Sequence, residues 1–437
     1  NLLEELDDQR EWFYDSTSSR LFWLPNNETL LNETMVAPQL ETLLSLRGSG
    51  PGDLIENIEI RGVEFTHSLP TYTQPYEPGS GGDWAIRRSA ALVVENAQHI
   101  TVDSCHFSAL EGNGVLLSRT VLSSTVSHSE FVNLGETAVV LLGEANLMDG
   151  RSRTQPWDNV IQHNHMHGWG VWGRQTAGVF VGLSGRNNIT HNVLHDGPRA
   201  AINVNDGFAG GLYIAGNLLF NAVLDTGEHG TFNSWDRQPM LWRDDQGVTQ
   251  VVPAPHVVEG NLAFRCSFRG PTSNKYVLDK DDGSSAYVEV GNVLAYGSSK
   301  DRDGVSRETM NNLILYPDAM PFEDTTNTPE AMAFQVNGFG GDSFVNNTVV
   351  SVNGQIYGDC FGVFSGHDTP TTGDNTFYIQ NGTFSSGGCG SKSKTAETFA
   401  QWTKQGQDKG SVVKGALSSS DTLHLVTQWL RDYLPVE

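Results

Sequence analysis

The sequence predicts an all-β chain, a right-handed parallel β-helix or solenoid closed by a C-terminal cap, and three observations carry that expectation. The first is a constant offset: Phe107 and Phe131, Leu110 and Leu134, Val115 and Val139, and Leu117 and Leu141 each stand 24 residues apart. One turn of such a fold takes about this many residues, so residues of equal phase stack one strand spacing apart, about 4.8 Å. The second is an asparagine recurring at one phase, at Asn164, Asn192, Asn217, Asn261 and Asn292, which reads as a ladder of side-chain amides at a bend, each satisfying the next. The third is the run of short apolar segments punctuated by turn residues, 47 of them Gly, which fits many short strands and few helices.

Taken in order, residues 1–54 form an N-terminal strand and cap segment. A short helical start is followed by strands at Glu11–Asp15 and Arg20–Pro25 around a Ser/Thr turn. Residues 55–394 carry the repeats, beginning where Asn57-Ile58-Glu59-Ile60 is matched by His99-Ile100-Thr101-Val102. Longer spacings mark loops at 66–88, 145–158 and 236–254, and loops on a regular scaffold are where sites are usually built. Residues 395–437 change character, with helical patterns at 396–405 and 422–433; this is the expected cap, packed over the last repeat with Leu430 and Leu434 inward. A strand edge left open invites association. The first repeat near Ile55 therefore needs a cover as well: residues 1–54 themselves, with Trp12, Phe13, Phe22 and Trp23 inward, a second chain, or a cleaved N-terminal portion.

The net charge of −24, from 51 acidic and 27 basic residues, argues against nucleic acid and against an anionic membrane as partners. No apolar run approaches the roughly 20 residues that span a bilayer. The four cysteines show no C-x-x-C spacing, so no zinc set is expected; Cys360 and Cys389, about one repeat apart, form either a disulfide or two buried thiols. Acceptor sequons at Asn27, Asn32, Asn188, Asn346 and Asn381 fit a secreted, extracellular glycoprotein, although about that many arise by chance. No cofactor is expected. The nearest thing to a calcium loop, Asp279-Lys280-Asp281-Asp282-Gly283, has acids at positions one, three and four with Gly at five, whereas an EF-hand loop alternates its ligands and places Gly sixth.

The densest group of acid, base and aromatic residues lies between His191 and Asp236. If Ala201–Val204 stacks on Gly230–Asn233, then Asp206 and Asp236 leave the scaffold at nearly one phase, roughly 5–7 Å apart, the range of two-carboxylate glycosidases. Asp225, Glu228 and His229 project from the preceding turn, and His195 and Asp196 from the repeat before. Crowding separates carboxylate pKa values, leaving one group as acid and one ionised. Trp235, Trp169, Trp172 and Trp242 are candidate sugar-stacking faces. Glu228, Trp235, Arg237, Asp206, Asp282 and Arg302 are the candidate substrate-binding residues.

Several motifs carry a resemblance. They are Glu11–Asp15 with Leu21–Pro25; Asp225-Thr226-Gly227-Glu228-His229-Gly230 running into Phe232-Asn233-Ser234-Trp235-Asp236-Arg237; Asp279-x-Asp281-Asp282-Gly283-Ser284-Ser285; and Lys300-x-Arg302-Asp303-Gly304 before Asn311-Asn312. Together they resemble glycoside hydrolase family 141, over residues 11 to about 415. The resemblance implies a pectin-lyase-like fold and a retaining glycosidase using two Asp residues on deoxysugar or xylan-type substrates. It assigns the acidic pair to Asp236 and one of Asp279, Asp281 or Asp282; His229 and Asp225, read from the turn before Asp236, are the further catalytic candidates. Lys280 stands where the family pattern has an apolar residue. The expected function is a secreted hydrolase of a plant- or algal-type polysaccharide or oligosaccharide. The alternatives are a lyase or epimerase with Lys280, Lys300 or Arg302 as base, and a non-catalytic carbohydrate-binding protein.

Overall fold

The computed structural model describes the chain apart from residues 1, 10, 26–34, 78–83, 145–148, 206–209, 227–228, 236–239, 244–245, 253–254, 265–275, 320–329, 336–339, 359, 361–368, 388, 390–395 and 435–437. Asn1–Gln39 and Leu40–Glu437 are two compact units. In the first, Trp12–Asp15 pairs antiparallel with Arg20–Trp23, Trp12 opposite Trp23. Asp15 closes their turn, accepting from the Thr17 backbone N–H at 2.9 Å and the Ser18 hydroxyl at 2.5 Å.

In the second unit nearly every strand is short and parallel to its equivalents in the repeats before and after. The offset of 24 is real hydrogen-bonded register: Phe107 pairs with Phe131, Val115 with Val139, and Leu117 with Leu141. Identical side chains therefore stack. The rings of Phe65, Phe107 and Phe131 lie 4.7 and 4.6 Å apart, nearly parallel, inside the core. Bends between strands are made by single residues in the left-handed region, among them His128, His163 and His191 at φ 48, 54 and 55. Asn, Asp and His tolerate that conformation better than other side chains.

The expectation of an all-β right-handed parallel β-helix is corrected by the strand pairing. The described strands form a parallel sheet of 12 strands and a second sheet of 21, beside two antiparallel two-stranded sheets and two α-helices, and no closed solenoid. Parallel strands here bond to the equivalent strand of the neighbouring repeat, so each sheet grows along the stack and hydrogen bonding does not join one sheet laterally to the other. The ladder also reaches further than the repeats legible in the sequence. Leu44–Arg47 pairs with Leu92–Glu95, and Val412–Lys414 with Thr376–Tyr378.

The cap is corrected in position. The short helix Phe399–Lys404 buries Trp402 among the core aromatics Tyr357, Phe377 and Phe384 at the last repeat. The longer helix Ser419–Tyr433 instead lies along the outward face of the 12-stranded sheet. Its Leu425, Val426, Trp429 and Leu430 cover Val293, Ala295, Leu313, Leu315 and Val350. Those outward positions are apolar, and the amphipathic helix is what removes them from water.

The asparagine ladder is continuous and longer than the sequence suggests. Asn164 donates to Asn192, Asn192 to Asn217, Asn217 to Asn261, Asn261 to Asn292, and Asn292 to Asn312, each at 2.9–3.0 Å. Asn347 and Asn375 carry it on, and the Asp408 carboxylate ends it by accepting from Asn375 at 2.9 Å. Each amide also donates to a buried backbone carbonyl, as Asn217 does to Ile189 at 2.8 Å.

Asn217→Ala removes the acceptor of the buried Asn192 backbone N–H, one of the two acceptors of the Asn192 side-chain amide, and the side-chain donor to the Ile189 carbonyl. Urea unfolding of this variant will show a loss of about 1–3 kcal/mol, because unsatisfied buried polar groups cost that much. Exposed Asn188→Ala will stay within about 0.5 kcal/mol.

Candidate active site

One column of the 21-stranded sheet turns polar where its neighbours are apolar. Ile202–Asn205, Phe232–Trp235, Tyr276–Lys280, Ser298–Arg302 and Met332–Gln335 pair in succession. Alternation sends Phe232, Leu278 and Met332 into the core and the next residue of each strand to the outer face. Outward and in register stand Asn203, Asn233, Asp279 and Lys300. At the equivalent position of earlier repeats stand Val93, Leu116, Val140 and Phe180, covered by Trp84 and Ile86.

All four polar residues are buried. Neither amide atom of Asn203 has a partner, nor does Nδ2 of Asn233. Two adjacent desolvated amides without partners are a cost the fold carries, and such costs concentrate at functional sites. Asp279 is fully buried, and burial pushes its carboxyl up to about 7 against the opposing pull of the Lys300 ammonium, 2.6 Å away. Burial also disfavours charge on Lys300, but Asp279 and Asp281 outweigh it and hold the ammonium above its usual range. Below about 7 the site therefore holds a proton on Asp279 beside the Lys300 ammonium, whose remaining charged partner is Asp281.

Lys300 also touches Asp281, at 3.0 Å, so the two carboxylate oxygens it reaches are no further apart than the sum of those two contacts. Asp282 pairs with Arg302 at 2.6 Å. With its carboxylates committed to Lys300 and Arg302, the Asp279–Asp282 segment is bound by cations of its own chain. Lys300 lies over the Tyr276 ring at 4.9 Å, and the strand register shifts at Tyr276–Leu278, a bulge of the kind that re-aims side chains beside active sites. Gly230 permits the close packing, because a side chain there would meet the Asp279 Cβ at 2.8 Å.

Lys280, between the two aspartates, points inward. Its ammonium meets Glu289, the Ser299 hydroxyl at 2.7 Å and Asp301 at 3.1 Å. Burial opposes its charge, and Asp301 and Glu289 hold it above the usual range nonetheless. Arg307 joins this interior cluster, 3.6 Å from Asp301 and 2.7 Å from Asp342, and donates to the Ser284 and Arg302 carbonyls that frame the Asp281 turn. A lysine is buried here because the core at this level is ionic.

Other expected site residues fall in several places. His229 precedes Gly230 and meets Arg199 at 2.7 Å; Arg199 lies on the Trp84 ring at 3.9 Å. Asp225 pairs with Arg174 at 3.0 Å. Trp235 opposes Asn205 at the strand end and is half-buried. Trp169 is a core residue, whereas Trp172 is 50% exposed with its ring 6.0 Å from that of Tyr72. Asp206, Glu228, Asp236, Arg237, Cys266, Asn27 and Asn32 lie outside the described residues, as does the side chain of Trp242. Asn188, Asn346 and Asn381 are exposed, and Cys360 and Cys389 form a disulfide with Cα atoms 5.1 Å apart.

Sequence reasoning missed Asn203 and Asn233 as site residues. It set Ala201–Val204 against Gly230–Asn233, one residue out of register; the structure pairs Ile202 with Phe232. A one-residue slip exchanges the two faces of a strand. The apolar-Asn pair shared by Ile202-Asn203 and Phe232-Asn233 was the available signal.

No family model matches the sequence, and no curated protein matches it. Among solved structures, a protein described as a glycoside hydrolase superposes with a TM-score of 0.53 at 15% identity, over 72% of this chain and 56% of its own. The chain thus spans just over half of that protein, and the likeness shows a shared fold. DFA-IIIase from Arthrobacter chlorophenolicus A6, solved without its lid, gives 0.42 at 14% identity over 84% of this chain and 89% of its own. A lacto-N-biosidase of glycoside hydrolase family 136 from Eubacterium ramulus gives 0.37 at 9% identity over 87% of this chain and 60% of its own.

Between pH 3.8 and about 7 the folded protein holds a proton on Asp279 that the unfolded chain has released. Unfolding therefore sheds a proton, and stability falls as pH rises through that window, by up to about 1.4 kcal/mol per pH unit. Lys300 stays protonated in both states there and adds no slope. Urea unfolding of Asp279→Asn across this range will lack the slope; parallel curves for variant and wild type would mean that Asp279 ionises normally.

Proposed function

We propose that the protein is a glycoside hydrolase whose proton donor is Asp279. The observation that carries this reading is a fully buried carboxyl held protonated to about 7, in line with two buried asparagines whose amides lack partners. A general acid needs a pKa near the working pH. Sugar hydroxyls both donate and accept hydrogen bonds, as the amides of Asn203 and Asn233 require. The fold shared with a solved glycoside hydrolase is compatible with this reading.

In the proposed reaction the Asp279 carboxyl gives its proton to the glycosidic oxygen as the bond to the anomeric carbon breaks. The carboxylate left behind is stabilised by Lys300 at 2.6 Å. Asp236, directly after Trp235 in the motif that resembles family 141, is the proposed nucleophile. Its carboxylate forms a glycosyl ester, and Asp279 then takes a proton from the water that cleaves it, giving retention. Asp281, Asp282 and Arg302 bind and orient the sugar, and Trp172 with Tyr72 offers an outer stacking face. A lyase is disfavoured, because Lys280 and Lys300 hold their protons more firmly than a free lysine and so are poor bases. The disulfide and the three exposed acceptor asparagines support an extracellular setting, with a plant- or algal-type polysaccharide as substrate.

On a glycan panel the protein will release new reducing ends and no ultraviolet-absorbing unsaturated sugar. Its rate will fall as pH rises through about 7. Asp279→Asn will lose that limb and roughly a hundred- to ten-thousand-fold in kcat. It will recover most of the rate on an aryl glycoside whose leaving group needs no acid. Wild-type turnover by Asp279→Asn on the natural linkage would remove Asp279 from the mechanism.

Asp236→Asn will abolish turnover with a melting temperature within a few degrees of wild type, and His229→Ala will cost less. Trp172→Ala will raise KM by about threefold to tenfold with little change in kcat, the size expected of one aromatic contact. An unchanged KM would take Trp172 out of the binding surface.

A further inference from the structure

The outward face of the 12-stranded sheet has two halves. The later half is apolar and lies under the Ser419–Tyr433 helix. The earlier half is rich in imidazoles. Glu130–Val132, His165–His167 and Val193–His195 are adjacent strands, with Glu130 opposite His165 and His167 opposite His195. Met166 points into the core, so its two flanking histidines both project outward. Three successive repeats thus deliver one carboxylate and three imidazoles to one spot.

Their nitrogens and oxygens converge. Ligand atoms of Glu130, His165 and His167 all lie within 4.8 Å of one another. Glu130 Oε1 is 3.7 Å from His165 Nδ1 and 3.5 Å from His167 Nε2. His165 Nε2 and His195 Nε2 face each other at 2.9 Å, and His167 Nε2 is buried without a hydrogen-bond partner.

The tautomer of His195 is set from behind. Its Nδ1 lies 2.8 Å from the Asp196 carboxylate, itself held by Asn221. A neutral imidazole so placed carries its proton on Nδ1 and aims the Nε2 lone pair at His165. A carboxylate behind a histidine is the usual outer support of a metal-ligating imidazole. The His195 lone pair accepts from the His165 Nε2–H, which leaves the His165 Nδ1 lone pair beside the Glu130 carboxylate, and the same carboxylate lies 3.5 Å from the His167 Nε2 that has no hydrogen bond.

We propose that Glu130, His165 and His167 bind one divalent first-row transition ion of the zinc class, joining two successive repeats, with His195 of the third holding the His165 ring in place. The donor set, two imidazole nitrogens and one carboxylate, suits such an ion and not calcium or magnesium, which take oxygen. The ion lies on a different sheet from Asp279 and is independent of the hydrolytic mechanism.

The test uses the untagged full chain freed of metal with a chelator. Titration calorimetry with zinc chloride will show one equivalent bound, and saturating zinc will raise the melting temperature. His165→Ala, His167→Ala and Glu130→Gln will each weaken binding at least tenfold. His163→Ala, in the separate stack of His128, His163 and His191 rings, will bind as wild type. Cobalt added to the wild-type chain will give visible d–d bands of a nitrogen-rich site, a readout that needs no variant to fold. No saturable zinc binding, binding undiminished in all three variants, or calcium binding as tightly as zinc would each overturn the assignment.

Discussion

The register of the parallel hydrogen bonds between successive repeats is the constraint on which the rest of Leu40–Glu437 depends. It turns equal phase in the sequence into contact in space, so a residue's chemistry is decided by what stands at the same phase one repeat away. The asparagine ladder enforces that register with side chains. Each amide must donate to the next amide and to a backbone carbonyl, and a slip by one residue would break both bonds and turn apolar side chains outward. The same register aligns Asn203, Asn233, Asp279 and Lys300 on one sheet and Glu130, His165, His167 and His195 on the other.

Much of this was legible where repeat length is constant. Phe107 and Phe131 announce their pairing by spacing alone, and the recurring asparagines announce the bend. Legibility fails where insertions vary, because phase cannot be counted across a loop of unknown length. Asn203 and Asn233 were set one residue out of line for that reason. It also fails for lateral packing: a period says which residues stack and not whether the sheets close, so the solenoid was overdrawn and the long helix was assigned to the end of the stack and not to its flank. Lys280 was opaque for a third reason. A lysine between two aspartates reads as surface, and only partners brought from 289 and 301 reveal it as interior.

Electrostatics at the candidate active site run against the overall charge of the chain. A surplus of carboxylates repels anions at long range, yet the polar column is organised by Lys300 and Arg302, each shared between acids. The arrangement lets a buried carboxyl stay neutral without becoming an isolated charge when it ionises. Desolvation supplies the high pKa, and the neighbouring ammonium keeps the conjugate base affordable.

The ionic interior at Lys280, Glu289, Asp301, Arg307 and Asp342 bears on how the stack assembles. Elsewhere a repeat can add to a growing stack by burying apolar side chains on the one before it. Here the Tyr276–Lys280 strand brings a lysine that meets Glu289 of its own repeat and Asp301 of the next, and Arg307 of that next repeat meets Asp342 of the one after. Each of these repeats carries a counter-charge of its own, and a stack halted among them leaves the network short of the partners that the following repeat supplies. From 276 to 342 successive repeats are thus joined by buried charge pairs, so nearest-neighbour growth of the stack is here driven by ion pairing and not by apolar burial alone.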